Sequence, residues 1–355
     1  MTERDVQRRL APALPMFGDA STIPTTGPLI DSYGRHIRNM RISLTDKCNF
    51  RCTYCMPAEG LPWLKKEELL SYEEIVRITR VAVGLGIEQI RLTGGEPLVR
   101  REVPELVRQL RTIEGLQGIS ITTNGILLKQ QAKALAEAGL TRVNVSLDSL
   151  LREKFAKLTR RDQFDQVMAA LEEVEKYPAI HPIKINAVAI RDFSEEDVLA
   201  FARFARNKAY VMRWIEFMPL DADQAWRKED ILTGGEIKAI IEAEYGPLVP
   251  IAGDPSETAR RYTFSDGVGE VGFINPVSEP FCATCDRIRL TADGQLRTCL
   301  FATTETDLRV VLRSGGDDAA LAFALRQAVW HKELKHYIGD TRFKRASRSM
   351  SMIGG

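Results

Sequence analysis

The chain has no apolar run long enough to cross a bilayer, and its first residues, MTERDVQRRL, lack the apolar core of an export signal. Glu3 and Asp5 count against a transit peptide. These absences lead to the expectation of a cytoplasmic protein. Charge of one sign is also missing: 49 Lys and Arg against 48 Asp and Glu leave a net +1, so no overall field draws in nucleic acid or a membrane. Histidine is scarce, and His36, His181, His331 and His336 show no metal-ligand spacing. No internal repeat or low-complexity block stands out, which argues against a solenoid. The rest, 44% hydrophobic and 27% charged over 355 residues, suits a globular protein with one large core or two modest ones.

Cysteine is sparse but organised. The six cysteines form two groups of three: Cys48, Cys52 and Cys55 as C-x3-C-x2-C within CNFRCTYC, and Cys282, Cys285 and Cys299 as C-x2-C-x13-C. In a reducing compartment such thiols ligate metal or do redox chemistry more often than they form disulfides. One zinc ion held by four of the six would leave two buried bystanders. A structural zinc site closes on four ligands, however, and three-plus-three fits it badly. A four-iron cluster has four corners to cap, so three thiolates leave one iron open for another ligand.

Residues 1–33 lack periodicity and contain Pro12, Pro15, Pro24 and Pro28, which reads as a disordered N-terminal arm. From Arg38 onward, β-rich runs at 38–45, 88–93, 118–123, 142–148, 183–190 and 211–218 alternate with helical patterns at 71–86, 127–140 and 194–207. Ser71 with Glu74 reads as a capped helix start, Ser194 as another, and Gly86 and Gly139 as stops. Six such units imply a parallel sheet. The unusual motifs sit just past strand ends, which favours an incomplete (β/α)6 TIM-type barrel over an open doubly wound sheet. Residues 34–250 would form that barrel. Residues 251–355, with a hairpin in YTFSDGVGEVGFINPV and the second cysteine group, would form a smaller domain capping its open side.

The cysteine loop after the first strand, with Tyr54 before the last thiol, and GGEP (94–97) after the second resemble the signatures of radical S-adenosylmethionine enzymes. Together with LTDKCNFRCTYCMP, TTNG, NVSLDSL, WIEFMPL, FCATCDRIRLTADGQLRTCLF and a terminal Gly-Gly, they resemble the molybdenum cofactor biosynthesis protein A family, the GTP 3′,8-cyclases. The likeness covers about residues 34–355.

That resemblance implies two [4Fe–4S] clusters, on Cys48, Cys52 and Cys55 and on Cys282, Cys285 and Cys299. It implies S-adenosylmethionine at Tyr54, Gly95, Ser146 and Met218, and GTP at Arg41, Arg91, Thr122, Lys184, Arg287, Ile288 and Arg289. Arg287 and Arg289 would position substrate, with no side-chain acid or base at work. Gly354 and Gly355 would reach the mouth of the site, and Asn186 would face the same way as Lys184. The implied partners are a low-potential electron donor and, downstream, cyclic pyranopterin monophosphate synthase; a homodimer is compatible. Independently of the family, a polyanion needs fixed charged forks, and arginine supplies them. Two other readings stay open at this point: a peptide-modifying radical enzyme with an auxiliary cluster, and a zinc-stabilised nucleotide-binding protein without catalysis.

Overall fold

The computed structural model describes residues 23–221 and 223–354, organised around one twelve-stranded sheet. Strands β1 (Asn39–Ser43), β2 (Gln89–Thr93), β3 (Gly118–Thr123), β4 (Arg142–Ser146), β5 (Ile183–Ala189) and β6 (Tyr210–Glu216) lie in chain order and pair in parallel. Each agrees with a run expected from the sequence to within two residues at either end. Helices connect them, as parallel pairing demands. β5 shows how the sheet separates two environments: Ile183, Ile185, Ala187 and Ala189 are buried, while Lys184, Asn186 and Val188 line the lumen.

Local signals explain most helix ends. Before the helix Tyr72–Gly84, the Ser71 hydroxyl accepts from Glu74 N at 3.2 Å, and the Glu74 carboxylate accepts from Ser71 N at 2.7 Å. The helix Leu128–Glu137 is left through Gly139 at φ +96°, where other residues are strained. Ser194 does not cap. Its backbone is already helical, and its hydroxyl accepts from Ile190 N at 3.0 Å and donates to Val188 O at 3.2 Å, closing the turn out of β5.

The barrel stays open, and the C-terminal segment extends both of its edges. β9 (Glu270–Ile274) joins β6 in parallel, followed by antiparallel β8 (Arg260–Thr263) and β7 (Val249–Pro250). β10 (Arg287–Leu290) joins β1 in parallel, followed by antiparallel β11 (Gln295–Arg297) and β12 (Thr306–Asp307). The expected hairpin is β8–β9. Residues beyond 251 thus share the barrel's sheet instead of only covering its gap.

The first 22 positions of the expected N-terminal arm lie outside the described residues. Residues 23–33 depart from the expectation of disorder: Ile23 and Leu29 are buried, Leu29 N donates to Leu85 O at 2.7 Å, and Asp31 pairs with Arg35 at 2.5 Å in the interior. No helix among the described residues is long and apolar enough to cross a membrane.

Candidate active site

Cys48, Cys52 and Cys55 occupy the loop that leaves the C-terminal end of β1. That loop is strapped down from outside: Arg51 N donates to Thr159 O at 3.1 Å and Thr53 N to Leu158 O at 2.9 Å, while Phe50 meets Phe155 edge to face at 5.7 Å. Tyr54 is fixed by its hydroxyl, which donates to Asp148 at 2.9 Å; Asp148 also accepts from Val188 N at 2.8 Å. The three thiols line a cavity of about 990 Å³ together with Tyr54, Gly95, Ser146 and Met218. All four residues expected at S-adenosylmethionine therefore meet beside the first cysteine group.

Gly95 has a packing reason for being glycine. A Cβ there would sit 2.4 Å from the carbonyl oxygens of Asp46 and Lys47, because the β2 loop crosses the β1 loop backbone to backbone. Glu96 follows, buried, accepting from Leu98 N at 3.0 Å, Thr123 Oγ1 at 2.7 Å and Asn124 N at 2.7 Å. Its carboxylate ties the ends of β2 and β3 together.

Cys282 and Cys285 precede β10, and Cys299 follows the antiparallel β11. All three emerge at the end of the sheet opposite the first group. They line a second cavity of about 970 Å³ with Arg41, Arg91, Thr122, Arg287 and Arg289. The two cavities share Thr122, Asn186, Ile215, Met218 and Met350, so one lumen runs between the cysteine groups.

The thiols fit a metal cluster better than a single ion. Burial pushes Cys48 and Cys299 up to about 11 and Cys55 up to about 12, so a bare thiolate is unfavourable until metal takes its charge. Cys285 differs: burial raises it, but nearby Lys332 and Arg287 more than offset that and bring it to about 7. Among the described residues no group of three or more His, Cys, Asp or Glu closes around one metal ion. Each triad is one ligand short of a closed zinc site, whereas a four-iron cluster takes three thiolates and keeps one corner open.

The lumen is strongly cationic. Arg289, Arg41 and Arg91 stand side by side across β10, β1 and β2, and the same rung continues through Ser120 to Arg142. A third space of about 840 Å³ at the N-terminal ends of the strands adds Arg142 and Lys184 and shares Arg213 with the second cavity. Burial first, and then mutual repulsion, lowers Arg91 to about 10, Arg213 to about 9 and Lys184 to about 8, and holds Arg41 well below its ordinary value. Arg213 is held by Asn144 Oδ1 at 2.6 Å, and Arg287 donates to Ser256 O at 2.6 Å. Buried cations that face one another in this way are costly unless an anion joins them.

Ile288 does not join them. It alternates with Arg287 and Arg289 on β10, is fully buried, and packs in the hydrophobic core beside Met40, so its side chain faces away from the lumen. Lys184 reaches the lower space and not the cysteine-lined one. The C-terminal tail is ordered, because Arg348 pairs with Asp293 and Glu305, each at 2.9 Å. This brings Met350 and Ser351 into the first cavity and Gly354 against Thr93 and Ser43. Gly355 lies outside the described residues. Arg142, Arg213, Lys332 and His336 were not anticipated. A lone arginine in the apolar run YVMRWIE was the available signal for Arg213, equivalent to the one that marked Lys184.

Comparison with known proteins agrees with this arrangement. The Radical SAM superfamily model matches residues 42–205, and the Molybdenum Cofactor Synthesis C model matches residues 210–338. The GTP 3′,8-cyclase of Mycobacterium sp. strain KMS is 47% identical over 337 residues, covering 95% of this chain and 96% of that protein. GTP 3′,8-cyclase 2 of Mycobacterium tuberculosis strain H37Rv is 45% identical over 344 residues, covering 96% and 95%. Among solved structures, Streptococcus suis SuiB bound to S-adenosylmethionine superposes with a TM-score of 0.56 at 14% identity. That match covers 79% of this chain and 63% of SuiB, just under two thirds of its length, and it speaks to the fold alone. By sequence over nearly its whole length, the chain belongs to the GTP 3′,8-cyclase family of radical S-adenosylmethionine enzymes.

Proposed function

We propose that the protein cyclises GTP to 3′,8-cyclo-7,8-dihydroguanosine triphosphate, the first step of molybdenum cofactor biosynthesis, using one [4Fe–4S] cluster on each cysteine triad. The observation that carries this reading is the lumen joining the triads, lined by buried arginines, with Arg41 facing the charges of Arg289, Arg91, Arg287 and Arg213. Cys48, Cys52 and Cys55 would hold the first cluster, which with S-adenosylmethionine would supply the radical chemistry that joins C3′ to C8. Tyr54, Gly95, Ser146 and Met218 hold S-adenosylmethionine beside Cys48, Cys52 and Cys55. Arg41, Arg91, Arg287 and Arg289 hold the triphosphate and orient the ribose toward the first cavity, with Lys184, Arg142 and Arg213 at the far end. Fixed guanidinium forks suit this work because they need no reorganisation when the polyanion arrives. Thr122, Asn186 and Met218 stand between the two ligands, and Met350 and Ser351 narrow the lumen so that water is excluded while a radical exists.

In this reading a low-potential donor delivers electrons to the first triad, and cyclic pyranopterin monophosphate synthase consumes the product, both in the cytoplasm. The test is anaerobic reconstitution with iron and sulfide, then incubation with reductant, S-adenosylmethionine and GTP. About eight irons per chain and a cyclised nucleotide support the reading. A colourless zinc protein, or cleavage of S-adenosylmethionine that never depends on GTP, counts against it.

A further inference from the structure

Lys332 follows the helix Asp318–Trp330 and is 3% exposed, a burial that lysine tolerates only with compensation. Its ammonium donates to the carbonyl of Arg287 at 3.1 Å and to that of Thr298. Those carbonyls belong to the segments that carry Cys285 and Cys299. Among the described residues no carboxylate lies within ion-pair distance of it. Glu333, next in sequence, accepts from the Thr298 hydroxyl at 2.7 Å. Of the other cations here, Arg35 pairs with Asp31 at 2.5 Å and Arg287 is engaged by Ser256 O and Asp286, while Arg289 stands beside Arg41 on the lumen. A buried cation bound only to carbonyls, beside three thiols, is matched to an anion that those thiols hold.

We propose that Lys332 is the counter-ion of the iron–sulfur cluster on Cys282, Cys285 and Cys299, a positioning residue that joins the two ligand-bearing segments and raises that cluster's reduction potential. The inference rests on the reading that the second triad holds a cluster. On reduction by dithionite the cluster gains one electron and no bond is made or broken. The added negative charge is stabilised by a nearby cation more strongly than the oxidised form is.

The experiment uses the full chain reconstituted with iron and sulfide, as wild type, Lys332→Met and Lys332→Arg. Both clusters are followed by electron paramagnetic resonance during a redox titration, so the first cluster serves as reference. In Lys332→Met the ratio of reduced to oxidised second cluster at fixed potential should fall about tenfold, equivalent to about 59 mV for one electron. Lys332→Arg should stay close to wild type, and the first cluster should not move. If Lys332→Met cannot retain the second cluster while Lys332→Arg does, the counter-ion role is equally supported. An unchanged potential in a fully loaded Lys332→Met, or equal loss of iron in both variants, overturns the proposal alone. A wild type that loads only about four irons overturns the two-cluster reading and the proposal with it.

Discussion

Arg289→Met should make the substrate-free apoprotein more stable and the enzyme worse at holding GTP. Arg289 is 6% exposed, and its Nε has no hydrogen-bond partner among the described residues. Burial above all holds its guanidinium at about 10 instead of 12.5. At about 1.4 kcal/mol for each tenfold in proton affinity, its charge costs the empty protein on the order of 3 kcal/mol. Methionine fills similar space without charge, so relief of up to about that size should appear as a rise in Tm of a few degrees. Losing a charged donor to phosphate should cost about 1.5–3 kcal/mol of binding, roughly tenfold to over a hundredfold in Kd. Differential scanning calorimetry of the apoprotein and equilibrium dialysis of GTP on the reconstituted protein measure the two sides. Lys at this position should recover binding only in part, since it lacks the two-toothed fork. A variant that loses Tm while binding GTP as wild type does would show Arg289 to be a structural residue and would refute the reasoning.

Other outcomes follow from the same geometry. Burial holds the Asp148 carboxyl at about 6, above its ordinary 3.8, so its contribution to apoprotein stability is full below about pH 3.8 and lost as pH rises through about 6. Asp148→Asn should remove that loss, about 3 kcal/mol, from the difference in urea midpoints between pH 4 and 7; parallel curves for the two proteins would contradict it. Gly354→Ala should lower cyclisation at unchanged iron content, because a Cβ would lie 2.3 Å from Thr93 Oγ1 at a backbone φ of +81°; an unaffected rate would mean the tail has no part in the site. Cys48→Ala and Cys299→Ala should each halve the iron from about eight to about four, but only Cys48→Ala should abolish cleavage of S-adenosylmethionine, as judged by 5′-deoxyadenosine release.

The alternation of short β-rich runs with capped helices was enough to locate six parallel strands, because each signal is confined to a few neighbouring residues. The cysteine spacing and the GGEP loop located the first cavity for the same reason. β9 and β10 were harder. DRIRLTA could be read as a strand, but nothing local says that it pairs with β1. That pairing depends on Met40 and Ile288 meeting in the core while Arg41 and Arg289 meet in the lumen. Ile288 was grouped with Arg287 and Arg289 through the family resemblance, and strand alternation turns its side chain inward to the core. Gly95 also has a packing reason for being glycine, the crossing of two loops, which no sequence pattern shows. Lys332 sat in a polar stretch, HKELKH, where its burial could not be anticipated.

The two cysteine groups also differ in when they can exist. Cys48 to Cys55 span eight positions, so a nascent chain brings them together as soon as one loop turns. The second group lies about the local β10–β11 pair, but its place in the lumen needs β10 seated on β1, as in the contact of Asn39 with Asp286 across 247 positions. Contacts that close so long a loop form late. The lumen therefore has an order of assembly written into its topology: the loop of the first group can form early, whereas the second group reaches the lumen only once the last parallel strand has docked.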